Sequence, residues 1–248
     1  MNWSNERTIE FVSSAPISVH RYGRIADEYY DGFAHPTCAD FRDASEMYLD
    51  RLWTSEAVVG RIADIGCGRS LLAKKLAGKS ASETSLVLVD ESSEMIVQND
   101  HRLLSQLESR VIDVERGEFG RDEFDWIFSI LGDPYNTESS WHNIATAMKR
   151  GGRCEFVVPS HVWSQKFRAA DASERCNLAR FVCTSGDEIY VPSYILRPDE
   201  QVSLIAGVGL KVIQTSSVAR REVRSLRSPK TSILSDDDAL LDIYSVVK

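Results

Sequence analysis

The stretch that most constrains this chain is residues 61–77, "RIADIGCGRSLLAKKLA". A short apolar run ends at Asp64, glycines follow at positions 66 and 68, and an apolar pattern of helical spacing begins at Leu71. A chain that leaves a strand, turns on glycines and enters a helix exposes bare backbone at the turn, and a ligand can approach it closely. In an open α/β sheet that turn lies at the carboxyl edge, where ligands bind. The turn does not fit the nicotinamide fingerprint, G-x-G-x-x-G, because position 71 is Leu. It also lacks the G-K-[ST] of a phosphate-binding loop.

The rest of the chain tells what kind of sheet this turn belongs to. From Val58 onward, short strand-like runs alternate with helical patterns. "VVGRIADIG", "SLVLVD", "RVIDV", "FDWIFSIL" and "GGRCEFVVP" read as strands, and "LLAKKLA", "SEMIVQNDHRLLSQL" and "ESSWHNIATAMK" read as helices. The second helix is expected to run unbroken from an N-cap at Ser92 or Ser93. Strand and helix in alternation predict a parallel sheet covered on both faces. A segment at about 161–197 interrupts this order, with a helix near 161–170 and a hairpin turning at Ser185-Gly186-Asp187. "PDEQVSLIAGVG" then reads as a helix closed by glycine, and "LKVIQTSSV" and "DIYSVVK" as two last strands. Residues 1–57 lack strand-like runs and are rich in aromatics, which predicts a helical cap.

Composition narrows the function. The net charge of −8 argues against nonspecific binding to nucleic acid or to an anionic membrane. No run approaches the roughly 20 apolar residues of a membrane helix. The five cysteines show no C-x-x-C spacing, and the first residues lack the apolar core of a secretory signal, so reduced thiols in the cytoplasm are expected.

The run Asp64-Ile65-Gly66-Cys67-Gly68-Arg69-Ser70 resembles motif I of the class I S-adenosylmethionine-dependent methyltransferases, with Ser70 in place of a third glycine. Asp90-x-Ser92-x-x-Met95 is similar to the small-molecule branch of that family. "MKRGGRCEFVVPS" and "SLIAGVGLKVI" resemble its entries to strands five and six. The resemblance implies a Rossmann-like, seven-stranded, mostly parallel sheet with helices on both faces and the last strand antiparallel. A helical N-terminal cap over residues 1–57 and a cap insertion at about 161–197 would complete a core spanning 58–248. It implies S-adenosyl-L-methionine as cofactor, held by Asp64, Gly66, Gly68, Ser70, Asp90, Asp113, Val114, Ile130 and Leu131. In this reading Asp90 takes the ribose hydroxyls and Asp113 the adenine amino group. The expected activity is methyl transfer to an O or N atom of a small molecule.

Each assignment has a plainer competitor. Asp90 competes with a helix N-cap, and Asp113 with an ordinary surface carboxylate at a strand end. "GDPYN" lacks the second proline of the loop used by amino-methyltransferases, so Asp133 and Tyr135 are read as active-site loop residues. His35 and His161 are candidate general bases because imidazole titrates near neutral pH; the competitor is a hydrogen-bonded loop histidine. Tyr22, Tyr30, Tyr135 and Trp163 are the expected substrate wall. The basic run "ARREVRSLRSPK" is read as a solvated loop, with phosphate contact as the rival reading. No metal is expected. Methylation of nucleic acid or protein is the alternative activity, and a cofactor-binding protein without turnover is the third reading. The sequence leaves monomer and homodimer open.

Overall fold

The computed structural model describes residues 22–76, 84–168 and 177–248. The first 21 residues of the expected N-terminal cap, the end of the helix after the glycine turn and residues 169–176 of the insertion lie outside them.

Seven strands form the main sheet: β1 (Gly60–Ile65), β2 (Thr84–Asp90), β3 (Glu108–Val111), β4 (Phe124–Ile130), β5 (Met148–Pro159), β8 (Lys211–Ala219) and β9 (Ala239–Val247). Their order is β3-β2-β1-β4-β5-β9-β8. The strands from β3 to β5 pair in parallel, and β9 runs antiparallel between β5 and β8. The expected Rossmann-like sheet with an antiparallel last strand is therefore present. A separate hairpin, β6 (Leu178–Val182) and β7 (Glu188–Pro192), stands where the sequence places it, with Gly186 at φ +90° in its turn.

Burial on both faces explains why the central strands are apolar throughout. On one face Ile62, Leu86, Leu88, Phe128 and Val157 pack with helix α1 (Pro36–Ser55), through Phe41, Ala44, Tyr48, Leu49 and Leu52. Helix α2 (Leu71–Leu76) adds Leu72 and Ala73 to this face, and Trp163 of α6 (His161–Arg168) joins it. On the other face Ala63, Ile65, Val87, Val89 and Phe156 pack with Trp141 and Ile144 of α5 (Glu138–Ala147) and Ile205 of α7 (Pro198–Gly207). Helix α1 is thus a core helix of the sheet, and only its N-terminal end and residues 22–35 lie beside the functional cavity. Tyr48 ties α1 to the sheet by donating to the buried Glu155 at 2.5 Å.

Two elements differ from expectation. The single helix after β2 is two short ones, α3 (Ser93–Ile96) and α4 (His101–Leu104). Ser92 caps the first, accepting from Met95 N–H at 3.1 Å. Asn99 then leaves the helix, because its side chain bonds backbone elsewhere: Nδ2 donates to Gly68 O at 2.6 Å and to Ile96 O at 2.8 Å. Asparagine competes in this way with helical hydrogen bonds. Asp100 opens α4, accepting from Arg102 N–H at 2.7 Å. Strand β3 ends at Val111, so Asp113 lies beyond it rather than at its end.

Candidate functional site

The glycine turn leaves the carboxyl end of β1 beside the end of β2. Asp64 pairs in register with Leu88, and both Asp64 and Asp90 are buried. Gly66 and Gly68 hold φ of +62° and +42°, where side chains with a Cβ are strained. Asp90 stabilises the turn: Oδ2 accepts from Gly68 N–H and Oδ1 from Ser92 N–H, each at 2.9 Å. A carboxylate has about four lone-pair sites, so two remain for a ligand. Burial pushes the Asp90 carboxyl above its usual range. Asn99 completes the frame, its Oδ1 accepting from Ser70 N–H at 2.9 Å. Ser70 donates to Asp64 Oδ2 at 2.5 Å and accepts from Ala73 N–H at 2.9 Å, so it caps α2 while holding Asp64. Burial raises the Asp64 carboxyl to about 7, against the lowering effect of Ser70.

A Cβ at Gly66 would meet the Tyr135 ring at 2.6 Å, and one at Gly68 would strike the Tyr30 hydroxyl. The glycines therefore let two aromatic side chains descend onto bare backbone. Tyr30 lies between Arg42 and Arg69, whose guanidinium carbons stand 4.8 and 4.4 Å from its ring centre. Its hydroxyl accepts from Arg69 N–H at 2.5 Å, and burial pushes its phenol to about 12.

From this turn a cavity of about 600 Å³ extends under the β6–β7 hairpin and residues 22–42. It brings together Asp64, Gly66, Gly68, Asp90, Ile130, Leu131, Asp133, Tyr135, Tyr22, Tyr30, His35 and Trp163, all expected from sequence. Ser70 stands directly behind it. Leu131 takes φ +58°, a strained value for a residue with a side chain, where β4 enters the loop. Asp133 is buried and accepts from the Ser193 hydroxyl, and its carbonyl accepts from Tyr194 N–H at 2.8 Å. It thereby fastens the chain after β7 to the loop after β4.

Three expected residues lie elsewhere. Asp113 is outside the cavity lining; its Oδ1 accepts from Glu115 N–H at 3.0 Å and Arg116 stands 3.5 Å from Oδ2. Val114 is fully buried in the core on the α5 and α7 face. His161 opens α6 with its N–H on Asp242 Oδ2 at 2.8 Å and does not line the cavity. His35 does line it. Its Nε2 is 3.5 Å from Glu28 Oε1, while Glu28 Oε2 accepts from Thr184 N–H and Oγ1 at 3.0 and 2.7 Å. Hydrogen bonds from Cys183 and Thr184 hold the Glu28 carboxyl down to about 2.

Sequence reasoning missed Glu28, Arg42, Asn99 and Phe181. Glu28 and Arg42 lie in segments without periodic signal for a site, and Asn99 was read as part of a helix. Phe181 meets the His35 ring edge-on at 5.3 Å, and only the hairpin's docking reveals that.

Among the described residues no group of His, Cys, Asp or Glu is arranged to hold a metal ion, and no helix is long and apolar enough to cross a membrane.

Residues 62–152, which contain the turn, both buried aspartates and the β4 loop, match the profile of a family described as "Methyltransferase domain". The likeness to a methyltransferase domain thus covers the part of the chain that builds the turn. None of the curated proteins compared with the chain matches it in sequence. Solved structures of the class I, S-adenosylmethionine-dependent methyltransferase fold do match. One, described as a "DhpI-SAM-HEP complex", has a TM-score of 0.65 at 19% identity, covering 92% of this chain and 94% of its own. Phosphoethanolamine N-methyltransferase 2 of Haemonchus contortus, in complex with S-adenosyl-L-methionine, has a TM-score of 0.63 at 16% identity. That match covers 93% of this chain and 60% of the Haemonchus chain. A Clostridium acetobutylicum S-adenosylmethionine-dependent methyltransferase has a TM-score of 0.59 at 13% identity, over 91% of this chain and 97% of its own. At these identities the likeness is one of fold, and what the protein acts on must be sought in its own cavity.

Proposed function

We propose that this methyltransferase moves the methyl group of S-adenosyl-L-methionine to an O or N atom of a small molecule held in the cavity between the glycine turn and the hairpin. The observation that carries this is the cavity itself. Its volume of about 600 Å³ falls within the usual range for small-ligand sites, roughly 300 to 1,000 Å³. Its walls are mainly aromatic and aliphatic, from Tyr22, Tyr29, Phe41, Leu71, Trp163 and Phe181. A methyltransferase of nucleic acid would instead need an open groove with basic walls along a phosphate backbone. The Haemonchus neighbour, named for phosphoethanolamine, is itself an enzyme of a small molecule.

The residues at the turn fit the cofactor. Asp90 presents its free lone pairs for the ribose hydroxyls, a charge-assisted contact. Gly66 and Gly68 carry no side chain into the cavity that they line, and Arg42, which lines it beside Tyr30, offers a cation for the methionyl carboxylate. Bound there, S-adenosyl-L-methionine supplies an electrophilic methyl group on a sulfonium. The protein's work is then positioning, since correct placement of donor and acceptor removes much of the barrier. A protonated hydroxyl or amine also needs a base. His35 is placed to be that base, because it faces the cavity, with the Glu28 carboxylate 3.5 Å behind its Nε2. Asp133, bound to Ser193, keeps the hairpin wall in register with the loop after β4. The free cysteines Cys38, Cys67, Cys154 and Cys183 fit a reducing, cytoplasmic setting.

Replacing Asp90 by alanine is expected to weaken S-adenosylhomocysteine binding by about 1.5–3 kcal/mol, the scale of hydrogen bonds to a charged group. Calorimetry on the folded variant measures this. Unchanged affinity would remove the ribose assignment.

A further inference from the structure

The acids that line the cavity, Asp64, Asp90 and Asp133, belong to the sheet edge, where Arg42 of α1 is the accompanying cation, whereas Arg180 on β6 and Lys230 on the loop between β8 and β9 belong to the covering wall. Lys230 is the last residue of the basic run noted in the sequence. The other charges of that run are largely spent on carboxylates. Arg220 pairs with Asp236, Arg221 with Asp237, and Arg227 with Asp43 at 2.7 Å and Asp40 at 3.5 Å. Among the described residues Lys230 has no carboxylate partner. Its Nζ instead stands 4.9 Å from the centre of the Phe167 ring.

The loop that carries Lys230 is rigidly placed. Asp40, wholly buried in α1, accepts from Arg227 N–H at 2.9 Å, Ser228 N–H at 3.0 Å and Thr231 Oγ1 at 2.6 Å. The Lys230 carbonyl accepts from Trp163 Nε1 at 3.0 Å. A buried carboxylate and an indole thus fix the backbone on both sides of a solvent-exposed lysine whose ammonium lines the cavity and has no carboxylate partner among the described residues. An ammonium held in place in this way stays hydrated and is free to pair with an anion that enters the cavity. The surrounding protein already pushes the Lys230 ammonium below the usual lysine range, chiefly by burial, with Arg180 acting in the same direction.

We propose that Lys230, seconded by Arg180, binds an oxyanion of the substrate, so that the methyl acceptor is a small anionic molecule. The proposal rests on the small-molecule reading above and names its substrate class. Lys230 supplies a point charge with three donors. Arg180 is already paired with Glu188 at 2.5 Å and is the weaker partner. The adjacent hydroxyls of Thr37 and Ser228, 2.7 Å apart, line the same wall and offer a neutral hydrogen bond. The apolar walls then receive the body of the molecule, and its far end faces the glycine turn.

The test is calorimetric titration of the full chain, loaded with S-adenosylhomocysteine, with phenyl phosphate, benzoate and phenol at constant ionic strength. Phenyl phosphate, benzoate or both should bind, and which of them binds tells a phosphate from a carboxylate; phenol should bind at least tenfold more weakly. Lys230→Gln should weaken the binding anion at least tenfold, Lys230→Arg should restore most of it, and Lys211→Gln, on the exposed start of β8, should change nothing. Failure of both anions to bind the wild type, or equal anion affinity in Lys230→Gln, overturns the proposal. The affinity for S-adenosylhomocysteine is measured separately. If the wild type does not bind it, the methyl-transfer reading fails, and the anion titration on the unloaded chain still decides the role of Lys230.

Discussion

Gly68→Val is expected to lower affinity for S-adenosylhomocysteine by at least 100-fold, about 2.7 kcal/mol, while the protein stays folded. Two effects combine. At φ +42° a β-branched residue is a genuine outlier, costing on the order of 1–3 kcal/mol in backbone strain. Its Cβ would also strike the Tyr30 hydroxyl and come within 3.2 Å of the Met95 methyl. Tyr30 would be driven off the turn, and with it the aromatic surface between Arg42 and Arg69. Gly151→Val separates strain from site. Gly151 holds φ +75°, yet nothing lies within 4 Å of its would-be Cβ, and it sits in β5 away from the cavity. That variant should lose stability and keep its affinity. If circular dichroism shows both variants folded and Gly68→Val binds as the wild type does, the turn is not the cofactor site.

What was legible in the sequence is what rests on local pattern. The central strands are apolar on both faces, so they read as continuous runs. The glycine turn reads as a turn because only glycine tolerates its angles. The hairpin reads from Ser185-Gly186-Asp187. The errors arise where a side chain bonds to a distant segment. Asn99 breaks a helix because Gly68 and Ser70 lie within its reach, which no periodicity reveals. Asp113 sits two residues past the end of β3, whose exposed edge position gives it a weak pattern. His161 faces Asp242 of β9, an antiparallel neighbour 81 residues later in the chain. Glu28 and His35 meet only because Thr184 of the hairpin holds the carboxylate. Lys230 looked like one member of a solvated basic loop; it differs from Arg220, Arg221 and Arg227, whose carboxylates come from residues 236–237 and from α1, and it alone of the run's basic residues lines the cavity.

The second large effect is expected from pH. Asp64 titrates at about 7 in the folded protein and at 3.8 unfolded, because burial disfavours its charge. A folded-state value above the unfolded one means that the native state holds the proton longer. The stability this contributes is complete below pH ~4 and is lost as pH rises through about 7. The displacement from 3.8 to about 7 corresponds to roughly 4 kcal/mol between those limits. Asp64→Asn, which keeps the shape without the titration, should therefore gain on the wild type steadily from pH 4 to 7 in denaturant unfolding; a constant difference across that window would dismiss the effect. The same carboxyl lines the cavity at the turn, where a cationic ligand would favour its charged form. Binding of S-adenosyl-L-methionine should accordingly tighten between pH 5.5 and 7.5 and release close to one proton near pH 6. Calorimetry in two buffers of different ionisation enthalpy counts that proton. In Asp64→Asn the release should vanish and the pH dependence flatten, because the cation then meets a neutral amide at every pH. A wild type that binds with no proton release would show that Asp64 does not face the cofactor's positive charge.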